Sequence, residues 1–202
     1  EDINMSRETA LRELLPLVQV AEALAQKYDV VVTNPPYMGG SGMSTKLSDY
    51  VKKYYPDSKS DLFAVFIEHC GQMAKKSGYQ AMITQHAWMF QPTYTKLRQK
   101  LLQTRMINMA HLGARAFEEI GGEVVQTTAF INSNVIIDNY QSSFVRLVDY
   151  GSQESKRVAF TERKGIYIIN SECFKKLPNI VIAYWLSDNM INVFENPRIN
   201  NY

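Results

Sequence analysis

Cysteine, histidine and net charge are all scarce in this chain of 202 residues, and each scarcity removes a class of protein. Cys70 and Cys173 lie far apart, which gives neither a disulfide framework nor a thiolate zinc pattern and points to a reducing, cytoplasmic setting. His69, His86 and His111 share no metal-ligand spacing, so no metal is expected. No apolar run is long enough to cross a bilayer and no signal peptide is present, so no membrane association is expected. A net charge of +2 provides no global field for nucleic acid, so any basic surface must be local. No internal repeat or low-complexity segment occurs.

What is present fits one globular domain or a domain with an appendage: 46% hydrophobic and 21% charged residues. The chain opens on Glu1 without an initiator methionine and stops at Asn200, Asn201 and Tyr202 without a closing element, so an excised piece of a larger protein is expected.

The organising stretch is Tyr28–Tyr37 (YDVVVTNPPY). The β-branched run Val30–Val32 reads as a buried strand, and Pro35 and Pro36 cannot continue its ladder. Asn34 therefore sits at the carboxyl end of a strand, held extended by the proline after it. Open α/β sheets place ligand chemistry at such ends. The Asn34 amide oxygen and the neighbouring Pro35 carbonyl are two fixed acceptors. Gripping both hydrogens of an exocyclic amino group, they would localise its nitrogen lone pair for attack on a methyl group. Tyr37 supplies a flat face on which an extruded base can stack.

Upstream, Leu11, Leu14, Leu15, Val18, Ala21 and Leu24 recur at helical spacing behind a Ser6 cap, with a kink or break expected at Pro16. Residues 38–60 read as a loop in which Lys46, Lys52, Lys53 and Lys59 alternate with Tyr50, Tyr54 and Tyr55, either a mobile flap or a solvated surface. A helix is expected next over Leu62–Lys76, begun by Asp61 and ended by Gly78. Strands are expected at Tyr79–Thr84, Met106–Leu112 and Glu123–Ile131, with a helix over Thr93–Gln103 between the first two. The last two strands are joined without a helical pattern, so they pair antiparallel. Beyond Asn132 the pattern weakens, with candidate strands at Phe144–Tyr150 and Ile166–Ile169 and a short apolar run over Ile180–Leu186. The fold class is α/β, with strand-helix-strand-helix-strand-strand forming half of a doubly wound sheet over 1–140. An irregular extension is expected over 141–202.

The turn Asn34–Tyr37 resembles the catalytic motif of S-adenosylmethionine-dependent amino-group methyltransferases, which act on adenine N6 or on protein glutamine N5. Ser58–Glu68, Gly78–Phe90 and Ala110–Thr128 make the chain similar to the adenine-specific DNA methyltransferases of bacteriophage-exclusion (BREX) phage-defence systems. The resemblance covers about residues 1–131 and implies a Rossmann-like sheet, double-stranded DNA as substrate and other phage-defence proteins as partners. It implies that Asn34, Pro35, Pro36 and Tyr37 are catalytic, with Asn34 and the Pro35 carbonyl holding the amino group. Tyr37 and Phe117 would stack on a flipped adenine, although Phe117 equally suits a loop anchor. Asp61, Leu62 and Phe63 match the segment lining the cofactor's adenine pocket, and they also suit a helix cap and a helix core. Lys96, Arg98, Lys100 and Arg105 form a positive strip suited to DNA phosphates or to plain solvation. By position, 141–202 would begin a target-recognition region. The family's glycine-rich cofactor loop, expected upstream of Asn34, has no counterpart here, so the chain alone is expected to bind S-adenosylmethionine poorly. A glutamine methyltransferase and a non-catalytic DNA-binding or docking module are the alternatives.

Overall fold

Six strands join in one sheet in the order β1-β2-β4-β3-β5-β6 in the computed structural model, which describes residues 2–117 and 125–194. They are β1 (Tyr28–Thr33), β2 (Ala74–Gln85), β3 (Arg105–Gly113), β4 (Thr127–Ser133), β5 (Gln141–Arg146) and β6 (Ile166–Asn170). β1–β2 and β3–β5 pair parallel, whereas β2–β4, β3–β4 and β5–β6 pair antiparallel. β1, β2, β3 and β5 therefore point the same way, and their carboxyl ends share one edge of the sheet. The helices are α1 (Asp2–Ala25), α2 (Thr45–Tyr54), α3 (Leu62–Met73), α4 (Thr95–Leu101), α5 (Gln153–Thr161) and α6 (Asp188–Val193). The α/β class and the antiparallel pair after α4 are as the sequence implies.

Alternation along the strands decides which face is covered. Met82, Met109, Phe130 and Phe144 point to one face, where Phe63 and Ile67 of α3 and Leu97 and Leu101 of α4 bury them. Phe174, Ile182 and Tyr184 complete the same cluster. On the opposite face Ala81, Ile83, Ala110, Ala129, Ile131 and Val145 line an open apolar groove of about 670 Å³. β1 lies at the sheet edge, so Val30 and Val32 are 54% and 72% exposed. That corrects the buried strand expected there: only Val31 meets the core.

Other expectations change as well. α1 runs unbroken through Pro16, and its apolar stripe is exposed instead of packed. Ser6 lies inside that helix and does not begin it. The supposed loop over 38–60 contains α2, capped by Ser44, which accepts from the Leu47 amide at 3.3 Å. Leu47, Val51 and Tyr55, four residues apart, are the helical signal there, and they pack on Leu62 and Val65. α3 ends at Met73, and Gly78 lies within β2, not at a helix end. A Cβ on Gly78 would sit 2.9 Å from the Tyr28 and Asp29 carbonyl oxygens, so this close strand approach requires glycine. The candidate strand Ile166–Ile169 is β6 and the one at Phe144–Tyr150 is β5, shifted to Gln141–Arg146; both join the same sheet, where an irregular extension was expected over 141–202. The apolar run Ile180–Leu186 packs into the main core without forming a strand, burying Ile182, Ala183 and Tyr184. The expected start of the fourth strand at Glu123 lies outside the described residues.

Candidate active site

The valine run forms β1, and the two prolines stop its ladder, so the chain leaves the sheet at Asn34. Asn34 is exposed and stands at the mouth of the open groove beside Val32 and Ala81. Pro35 is buried, which fixes the backbone bearing the second acceptor. Tyr37 is half-buried, with its ring edge-on to Phe63 at a centroid distance of 6.2 Å and an interplanar angle of 86°. Its hydroxyl is buried without a hydrogen-bond partner, and burial pushes its pKa up.

Asp61 anchors the chain beyond the turn. One carboxylate oxygen accepts from the Met38 amide at 2.9 Å and from the Phe63 amide at 3.2 Å, so a single side chain caps α3 and ties the turn to it. The Leu62 amide donates to the Met38 carbonyl at 3.0 Å, and Gly39 bridges Asp61. Phe63 is 1% exposed in the main core, and Leu62 is buried against α2. The three residues that the resemblance assigns to the cofactor pocket therefore cap, anchor and pack. As placed they do not fit a cradle for S-adenosylmethionine.

Phe117 comes after β3 and is half-buried. It belongs to the same sheet edge as Asn34, but β2 and β4 intervene between β1 and β3. Three strand spacings of about 4.8 Å put β1 and β3 roughly 14 Å apart. The structure thus holds Asn34 and Tyr37 on one turn, with Phe117 on the segment that follows β3.

Between them stands a group that sequence reasoning missed. His86 directly follows β2, and its Nδ1 lies 2.8 Å from Nε2 of His111 on β3. Nδ1 of His111 lies 3.0 Å from the Tyr184 hydroxyl. Burial lowers the pKa of both imidazoles, that of His111 to about 3 with the His86 ring as a further cause, so both rings are neutral near pH 7. The only signal in the sequence was the position of His86 just past a strand end. The partners lie too far along the chain for spacing to reveal them.

The basic strip does not survive as a DNA contact. Arg98 is fully buried, and its guanidinium donates to the carbonyls of Trp88 (2.6 Å), Gln91 (2.8 Å) and Asn179 (2.7 and 3.1 Å). Arg105 is also buried, 3.5 Å from Glu172. Lys100 pairs with Asp57 at 2.8 Å and Glu68 at 2.6 Å, and Lys96 reaches Asp57 at 3.6 Å. Arg98 on α4 and Arg105 at the start of β3 are turned into the fold, and Lys96 and Lys100 are paired with carboxylates, so charge alone misled. Lys46, Lys52, Lys53 and Lys59 are exposed, on or near α2.

A parallel β1–β2 pair, an antiparallel β4 inserted before β3 and an Asn-Pro-Pro-Tyr turn at the carboxyl edge are the features of a Rossmann-like α/β sheet with its candidate site at the strand ends. Residues 3–117 match the Eco57I restriction-modification methylase family, and the chain belongs to that family. It is 46% identical over 189 residues to the adenine-specific methyltransferase PglX of Lacticaseibacillus casei (strain Zhang), covering 91% of this chain and 16% of that protein. It is 44% identical over 192 residues to the adenine-specific methyltransferase BrxX of Escherichia coli O9:H4 (strain HS), covering 95% of this chain and 16% of that one. The chain thus spans about a sixth of the length of these relatives. A nuclease-deletion mutant of the Type ISP restriction-modification enzyme LlaGI, solved with a DNA substrate mimic, shares the fold. Its TM-score is 0.59 at 13% identity, over 86% of this chain and 19% of that one.

Proposed function

We propose that this chain carries the amino-acceptor site of a longer adenine-specific DNA methyltransferase of phage defence, acting in the cytoplasm with S-adenosylmethionine as the methyl donor. The observation that carries the reading is the exposed Asn34 amide beside the buried, proline-fixed Pro35 at the carboxyl edge of β1. The Asn34 oxygen and the Pro35 carbonyl take the two N6 hydrogens, drawing the nitrogen toward tetrahedral geometry and freeing its lone pair. No strong base is needed, because the extra proton leaves after methyl transfer. Tyr37, partly exposed and edge-packed on Phe63, offers one wall for the flipped base. Phe117 is a candidate for a second wall. Phosphate contact falls to the exposed Lys46, Lys52, Lys53 and Lys59, for which no ion pair occurs among the described residues. Partner proteins are those of the same defence system.

The test is methylation of unmethylated genomic DNA by the full-length protein and its Asn34→Ala variant. Loss of methyl incorporation with an unchanged fold is expected. Undiminished adenine methylation would remove Asn34 from the role. Methylation of a glutamine-bearing protein but not of DNA would favour the glutamine enzyme.

A further inference from the structure

Hydrogen-bond direction along the buried histidine chain is set at its inner end. The Tyr184 hydroxyl faces the Arg146 guanidinium, which has only protons to give. Tyr184 is 1% exposed, and its hydroxyl meets no acceptor other than Nδ1 of His111 among the described residues. With Arg146 facing the phenol oxygen as a donor, the phenol proton goes to that nitrogen, 3.0 Å away. A neutral imidazole that accepts on Nδ1 carries its proton on Nε2. That proton is donated to Nδ1 of His86 at 2.8 Å. By the same rule His86 holds its proton on Nε2, which makes no hydrogen bond among the described residues on this half-buried side chain.

Packing holds this direction in place. The Tyr184 ring stacks on Phe144 at 4.8 Å with planes 5° apart, and Arg146 lies 5.2 Å over Trp185. Phe90 meets His86 edge-on at 5.4 Å and also packs on Trp185. Both rings stay uncharged in this surround, so the chain is a fixed dipole path and not a proton store.

Location gives the path its use. β2 is the direct parallel neighbour of β1, with Thr33 level with Met82, so His86 lies a few residues beyond the level of Asn34 on the adjoining strand. An adenine whose amino group is held by Asn34 and Pro35 presents ring nitrogens beside that group, and these are acceptors only. We infer that Arg146, Tyr184 and His111 fix His86 as a hydrogen-bond donor to a ring nitrogen of the target base. The inference rests on the adenine-methylation reading. His86 would touch substrate, whereas His111 and Tyr184 are positioning residues acting through it.

Two measurements decide it. Long-range nitrogen–proton spectra of the 202-residue chain read each histidine tautomer without DNA. Protonation of His86 on Nε2 is expected, with a fall in that tautomer in Tyr184→Phe, and a proton on Nδ1 of His86 in the parent chain would overturn the inference. In the full-length enzyme, His86→Ala should lower kcat on genomic DNA about tenfold, the worth of one substrate hydrogen bond. His86→Gln, which keeps an N–H, should restore most of the rate, and His86→Glu, which offers only acceptors, should not. Equal rates for His86→Ala and His86→Gln would refute base contact. A parent enzyme that methylates no DNA would instead sink the underlying reading, and the tautomer spectrum would still decide the donor.

Discussion

The turn after β1 and the helix α4 each offer polar groups suited to DNA, and they spend them differently. In the turn, Asn34 is exposed and the prolines keep the backbone from pairing it away. In α4, every nitrogen of Arg98 is consumed inside the fold. The difference shows that a functional group is available only when local geometry forbids it a partner. Proline does that for Asn34 by ending the ladder, whereas helical rotation carries Arg98 inward to the carbonyls left by the turns around it.

The strongest way to break the contrast is Asn34→Ala, which should cut methylation by at least about a hundredfold, the scale of losing one preorganised transition-state contact. Thermal stability should move by less than about 0.5 kcal/mol, because the side chain is exposed. Arg98→Ala should do the converse. It strands the carbonyls of Trp88, Gln91 and Asn179 in the interior and should cost about 3–5 kcal/mol in denaturant unfolding. A mild Arg98→Ala variant with weakened DNA binding would reverse the assignment.

Acid sharpens the comparison at the histidine chain. His111 titrates near 6.5 when unfolded and at about 3 when folded, so below pH 6.5 the unfolded state binds more protons. The stability contributed by neutral His111 is therefore fully present above pH 6.5 and is lost as pH falls toward 3. Unfolding tracked across that window should show a shallower acid slope in His111→Gln. An identical slope would mean that the imidazole is not held neutral. The smallest effect belongs to Tyr37→Phe, which removes a buried hydroxyl with no partner while keeping the ring. Stability should stay level or rise by up to about 1 kcal/mol, with methylation little changed.

The sequence revealed most where one local rule acts alone. The valine run and two prolines placed β1 and its end, and the missing helical pattern after β3 gave the antiparallel partner. It failed where tertiary context decides. The burial of β1 depends on what lies beyond an edge strand, and α2 shows only a sparse stripe of Leu47, Val51 and Tyr55 within a lysine-rich segment. Asp61 was legible as a helix cap, but its second bond to Met38, which ties down the catalytic turn, needs the loop to fold back. The His86–His111–Tyr184 chain joins residues 25 and 73 positions apart, beyond any reading by spacing.

The place of β4 between β2 and β3 also sets the order of assembly. β2 emerges with one edge filled by β1, but its other neighbour comes after β3 in the chain, so the sheet cannot be zipped in sequence order. Pairing of Thr84 with Thr128 and of Gln85 with Thr127 must wait for the β3–β4 pair, with its own partners nearer in sequence. Closing that long loop is the entropically slow step, and formation of β1–β2 and β3–β4 should precede their joining. The seam between them passes through Thr84 and Thr128, beside His111 and just short of His86, so the histidine chain forms only when the two halves meet.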